Sequence, residues 1–145
     1  MQIRILKKHP DAIIPQYATA GASGLDLHAR IPHDIYLQPG VRFTCPAGIG
    51  IELPEGFEAQ VRPRSGMAKN HGVTVLNAPG TVDADYTGEI CAILINHGDQ
   101  AYKIEPNQRI AQLVIAPIVR VELVETEALA ETTRGAGGFG HTGSM

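Results

Sequence analysis

Hydrophobic residues recur along this chain at the spacing of strands. Ile3-Arg4-Ile5 and Phe57-Glu58-Ala59-Gln60-Val61 alternate apolar and polar positions, while Ile90–Ile95 and Leu113-Val114-Ile115 are short, nearly continuous apolar runs. Alternation turns one face to a core, and an unbroken run this short suits a covered strand better than a buried helix. Turn chemistry bounds these segments. In Gln38-Pro39-Gly40, Leu53-Pro54-Glu55-Gly56 and His97-Gly98-Asp99, proline presets φ and glycine permits positive φ. Ten prolines and sixteen glycines are spread along the chain, and punctuation at roughly ten-residue intervals predicts an all-β sandwich or barrel. Helix signals are weak. Ser65–Asn70 can form one short turn, capped by Ser65 and ended by Gly72. Glu122–Thr133 is polar and loosely patterned, and reads as an arm leading out to a glycine-rich tail.

Composition narrows the class. A chain of 145 residues is long enough for one core and too short for two. No apolar run approaches a membrane span, and Met1-Gln2-Ile3-Arg4 opens a strand-like segment instead of a signal peptide. The two cysteines, Cys45 and Cys91, have no CxxC spacing, which points to a reducing, cytoplasmic setting. The six histidines are scattered, so a built-in zinc site is not expected. The net charge of −3 comes with no basic stripe interleaved with aromatics, which argues against nucleic acid as a partner.

Candidate chemistry lies between the strands and in the tail. Residues 135–143 hold five glycines, with Arg134 just before them and Phe139 among them. Such a tail cannot build a core, and its glycines favour flexibility; its cation and ring could equally serve a nucleotide as a lid. Arg64-Ser65-Gly66, at a strand-to-helix junction, presents a hydroxyl and backbone N–H groups to an anion or simply caps a helix. Asn77-Ala78-Pro79-Gly80 through Tyr86-Thr87-Gly88 reads as a hairpin whose breakers are Pro-Gly and Thr-Gly. Its acids Asp83 and Asp85 share a face if the backbone is extended. Asp26 lies between two leucines of a strand, where a solvent-facing acid is the plain reading. Gln112 is a polar residue inside an apolar strand and must find hydrogen bonds.

Taken together, Tyr17–Ala29, Arg62–Gly72, Asn77–Ile90, Gly98–Val114 and the tail resemble, in order, the five motifs of the dUTPase family. The match runs from about Pro15 to Gly143. The resemblance implies a distorted jelly-roll or β-barrel in one domain, with residues 1–123 as the body and 124–145 as the C-terminal arm and lid. It implies a homotrimer whose sites draw on more than one subunit, and hydrolysis of dUTP to dUMP and pyrophosphate with Mg²⁺. That reaction limits uracil incorporation into DNA and supplies dUMP for dTMP synthesis. By resemblance Asp83 is the catalytic carboxylate, and Asp26 helps hold magnesium through water. Arg64, Ser65, Gly66 and Gln112 would meet the phosphates. Asn77, Thr81 and Val82 would pair with uracil, with Tyr86 under the deoxyribose and Cys91 near the place of a thymine methyl. In the tail Arg134 would bind the γ-phosphate, and Phe139 and Gly140 would close over the base. His141 stands where many relatives carry serine, and Arg109 reads as a structural or subunit contact.

The physical logic of such a site is plain. Uracil offers a donor at N3 and an acceptor at O4; cytosine reverses both, and each buried unmatched group costs about 1–3 kcal/mol. A dCTP deaminase of the same fold is the nearest rival, although Glu89 sits in the hairpin and not in a later strand. A nucleotide sensor without turnover is the other, and the presence of Asp83, Tyr86 and the tail argues against it.

Overall fold

The computed structural model describes residues 1–138. In chain order the elements are β1 (Arg4–Lys7), β2 (Leu25–His28), β3 (Ile35–Leu37), β4 (Arg42–Pro46), β5 (Ile49–Glu52) and β6 (Phe57–Arg62). They continue with α1 (Ser65–His71), β7 (Val73–Val75), β8 (Gly80–Val82), β9 (Cys91–Asn96), β10 (Tyr102–Ile104) and β11 (Arg109–Pro117). The fold is all-β, as the alternation predicts. Sheet order is β2-β11-β6-β8 in one sheet and β4-β9-β7 in a second, with two-stranded ribbons β1-β5 and β10-β3. All these pairings are antiparallel.

The core forms where the inward faces meet. In β9, Ala92, Leu94 and Asn96 are buried while Cys91, Ile93 and Ile95 are half-buried, the period-2 pattern of a strand with one face in the core. Leu27, Ile49, Val73, Leu94, Ile104, Ile110 and Leu113 are fully buried, and each such side chain contributes about 1.5–3 kcal/mol. Asn96 is buried too, but satisfied: its Nδ2 donates to the carbonyls of Leu37 (2.8 Å) and Gln100 (2.7 Å), and its Oδ1 accepts from Gly98 N–H (2.8 Å). It thereby shapes the turn that the Gly98-Asp99 pair announces.

Four local expectations change. The hairpin expected from Asn77 to Gly88 does not form: β8 pairs with β6, while β9 pairs with β4 and β7 in the other sheet. Ser65 does not cap α1; Arg64 holds the N-cap position with extended backbone and Ser65 is the first helical residue. After β6 ends at Arg62, Pro63 and an extended Arg64 (φ −89°, ψ 125°) lead into the helix. Gly72 does end the helix, at φ 67°. Asp83 and Asp85 do not share an extended face, because Tyr86 N–H donates to Asp83 O at 3.1 Å and closes a turn between them. The alternation Ile3-Arg4-Ile5 predicts a half-buried strand; Ile3 does pack against the core, but β1 itself, Arg4–Lys7, is exposed throughout and pairs with β5 alone.

Candidate functional site

Two groups of the expected residues are each brought together, at different places on the barrel. The first is a cavity of about 270 Å³ whose lining includes Asn77, Thr81, Val82, Asp83, Tyr86 and Cys91. Strand β8 pairs with β6 through Ala59↔Val82 and Val61↔Gly80, which sets the floor, and the turn Asp83–Tyr86 forms one wall. Tyr86 Oη donates to the Glu89 carbonyl at 2.9 Å. Its ring lies so close over Gly88 that a Cβ there would sit 2.4 Å from ring atoms; only glycine fits. The Asn77 amide lies over Gly80 in the same way, 3.2 Å from the position of a Cβ. Among the described residues no side chain hydrogen-bonds the Asp83 carboxylate, which is exposed. Burial raises the Cys91 thiol pKa, with the charge of Glu89 adding to it, so Cys91 is an uncharged, space-filling wall residue.

The second group surrounds the start of α1. Asp26, on β2 and only 7% exposed, lies between two arginines. Arg109 Nη1 donates to its Oδ2 at 3.1 Å, and Arg64 Nε stands 3.7 Å from its Oδ1. Arg64 Nη1 also donates to the Arg109 carbonyl at 3.1 Å. A bulge on β11 sets this up: Arg109 pairs with His28 and Ala111 with Leu27, leaving Ile110 as the extra residue. Bulges of this kind re-aim a side chain, here Arg109 toward Asp26. The solvent-facing reading of Asp26 is therefore wrong; it is a buried anion committed to two guanidinium groups. Arg109 makes the structural contact expected of it. Ser65 and Gly66 are exposed, and a Cβ on Gly66 would meet nothing within 4 Å. Gln112 lies level with both Asp26 and Arg62; it packs 3.0 Å from where a Gly24 Cβ would stand, and among the described residues its amide has no side-chain partner. His28, beside this group, has a buried Nδ1 without a partner. Burial lowers its pKa, with Arg109 and Arg64 lowering it further and Asp26 opposing.

The structure does not join the two groups within one chain. Val82 is level with Ala59, so Asp83 lies level with Glu58, while Arg64 follows six residues later on an extended path. At about 3.3 Å per residue that is roughly 20 Å. Arg134, the expected tail residue that the structure describes, does not join them either. After Ile118 N–H bonds Gly56 O at 2.9 Å, the arm is exposed through Val119, Val121, Leu123 and Leu129. Arg134 Nε donates to the carbonyl of Gly137 at 2.8 Å, within the arm itself. Phe139, Gly140 and His141 lie outside the described residues.

The donors present bear on whether a metal resides here. Among the described residues no group of three His, Cys, Asp or Glu could hold an ion, and both oxygens of Asp26 face arginines. This set does not fit a resident cation. Sequence reasoning missed Glu89, whose Oε1 accepts from Gly48 N–H at 2.8 Å. No local pattern links residues so far apart.

Comparison with known proteins places the chain as a whole in a family. Residues 10–143 match the family model described as dUTPase. A deoxyuridine 5'-triphosphate nucleotidohydrolase of Beijerinckia indica is 58% identical over 146 residues, covering 97% of this chain and 91% of the relative. One from Chlamydia pneumoniae is 58% identical over 132 residues, covering 90% and 91%. Among solved structures, a point variant of the Staphylococcus bacteriophage 80alpha dUTPase with dUpNHpp superposes with a TM-score of 0.88 at 22% identity, covering 98% of each chain. A variant of the dUTPase from phage phi11 of S. aureus, described for its coordination of a structural Mg(II) ion, gives 0.81 at 19% identity, covering 90% of this chain and 100% of that one. At those identities the likeness to both phage proteins shows the fold.

Proposed function

This chain belongs to the dUTPase family and is a dUTP diphosphatase, and we propose that it cleaves the magnesium complex of dUTP with Asp83 activating the attacking water. The observation that carries this reading is the cavity that gathers Asn77, Thr81, Val82, Asp83, Tyr86 and Cys91. Uracil would pair with the Asn77 amide and the backbone of β8. The deoxyribose would rest on the Tyr86 ring, which leaves no room for a 2′-hydroxyl. Cys91 would bar a thymine methyl. The Asp83 carboxylate accepts a proton from water as its oxygen attacks the α-phosphorus in line, and the bond to the bridging oxygen breaks to release pyrophosphate. Magnesium would arrive with the nucleotide and would offset charge on the phosphates, and Asp26, already paired with Arg64 and Arg109, would meet it only through water. Most of the acceleration then comes from positioning and prearranged charge.

The phosphate chain needs Arg64, Ser65, Gly66 and Gln112; by register Arg64 lies roughly 20 Å from Asp83 of the same chain, and Gln112, level with Arg62, about 13 Å. One water bridges Asp83 to an α-phosphorus over only about 6 Å. A neighbouring subunit must therefore bring the arginine group to the cavity, which supports the homotrimer with shared sites. The exposed apolar arm, Val119 to Leu129, suits packing on another subunit, from which Arg134 and Phe139 would close over the nucleotide. The cytoplasm is the proposed compartment, with removal of dUTP from the DNA precursor pool and supply of dUMP as the physiological role. Among the described residues no helix is long and apolar enough to cross a membrane.

The test is pyrophosphate release from dUTP, dCTP, dTTP and UTP, with and without Asp83→Asn. Release from dUTP alone, lost in the variant, is expected. Ammonia from dCTP would establish the deaminase, and binding without turnover the sensor. Co-expressing Asp83→Asn with Arg64→Ala examines the shared site. Random assembly places an intact Asp83 beside an intact Arg64 at about a quarter of the sites, so about a quarter of the wild-type rate should return. No recovery would place the whole site in one chain.

A further inference from the structure

The loop between β8 and β9 that carries Asp83 and Tyr86 is held from behind by the Glu89 side chain. Glu89 Oε1 accepts the Gly48 N–H at 2.8 Å, and His9 Nε2 stands 4.0 Å from the same oxygen. Gly48 has φ +73°, and a Cβ there would meet Ala12 at 2.8 Å, so the direction of its N–H is set by a backbone that only glycine adopts easily. The next residue continues the bracing: Ile90 N–H donates to Ile49 O at 2.8 Å, and Ala47 N–H to Ile90 O at 2.9 Å. Glu89 is thus pinned at its side chain and just beyond its own peptide, and its carbonyl is the group that receives Tyr86 Oη at 2.9 Å.

We propose that Glu89 is a positioning residue for sugar specificity: by anchoring itself on Gly48 N–H, it fixes the carbonyl that holds the Tyr86 ring against Gly88. The inference rests on the reading of this cavity as the nucleoside site. A ring with a mobile acceptor can tilt away from the sugar, and tilting opens the space that a 2′-hydroxyl needs. Discrimination by a hydrogen-bonded or excluded hydroxyl depends on that geometry being rigid. The carboxylate works here as an acceptor, so an amide oxygen can replace it.

The experiment compares kcat/KM for dUTP and UTP in the wild type, Glu89→Ala, Glu89→Gln and Tyr86→Phe, with melting temperatures recorded for each. Losing one bond to a charged acceptor corresponds to about a tenfold effect or more. Glu89→Ala should therefore lower the dUTP-to-UTP ratio about tenfold, and Tyr86→Phe should lower it several-fold. Glu89→Gln should keep it. A wild-type ratio in Glu89→Ala or in Tyr86→Phe overturns the proposal. If Glu89→Ala fails to fold, Tyr86→Phe and Glu89→Gln decide on the same terms. A wild-type enzyme that hydrolyses UTP as readily as dUTP would instead overturn the nucleoside-site reading itself.

Discussion

Replacing Asp26 with asparagine removes the charge that holds two arginines together at the head of α1. With Arg109 Nη1 3.1 Å from Oδ2 and Arg64 Nε 3.7 Å from Oδ1, each attraction is about 5 kcal/mol at an effective dielectric near 20 and about 1 kcal/mol in water. The Asp26 side chain is 9% exposed, but those of Arg64 and Arg109 are 29% and 51% exposed. The freed guanidinium groups regain water, and the cost of burying the carboxylate disappears with it. The loss should therefore fall below the 3–5 kcal/mol of a fully buried pair, at about 1–3 kcal/mol. Urea unfolding without nucleotide, at fixed protein concentration, measures this directly. Arg64 keeps its bond to the Arg109 carbonyl, so kcat/KM for dUTP should drop about tenfold instead of vanishing. An unchanged urea midpoint in Asp26→Asn would refute the reasoning, because it would mean that the pair contributes nothing beyond its own desolvation cost.

Three further outcomes follow from individual residues. Burial holds the His28 pKa below its ordinary 6.5, so the unfolded chain takes up a proton that the fold resists; His28 withdraws stability as pH falls through about 6.5 and has no such effect well above it. His28→Gln should flatten the decline in melting temperature between about pH 7.5 and pH 5.5, and parallel curves would exclude the effect. Gly72→Ala places a side chain at φ +67°, with its Cβ 2.6 Å from Gly98 N; strain and overlap together should cost about 2–4 kcal/mol, and a variant melting with the wild type would contradict that geometry. EDTA should depress dUTP turnover at least about a hundredfold while leaving the melting temperature of the nucleotide-free protein unchanged, and a lower melting temperature would reveal a resident cation.

What the sequence by itself determined was local. The strand period is legible in β6 and β9, because side chains alternate across any extended backbone. Gly72 ends α1 as its position predicts, since a helix stop needs only a residue at ease in the left-handed region. The gathering of Asn77, Thr81, Val82, Asp83, Tyr86 and Cys91 around one cavity was also legible, because these residues are close along the chain, although β8 and β9 enter different sheets instead of pairing as a hairpin. What only the tertiary structure decided depends on pairing register. Asp26 meets Arg109 across 83 residues through a bulge that no composition signals, and Glu89 meets Gly48 across 41. The Asp83–Tyr86 turn cancels the shared face that spacing alone allows. Register likewise puts Asp83 and Arg64 toward opposite ends of β6, so that residues proposed for one reaction lie apart in one chain. Covalent geometry dictates period and turns residue by residue, whereas these distant contacts follow from which strands pair and in what alignment, a choice made by the packing of the whole core.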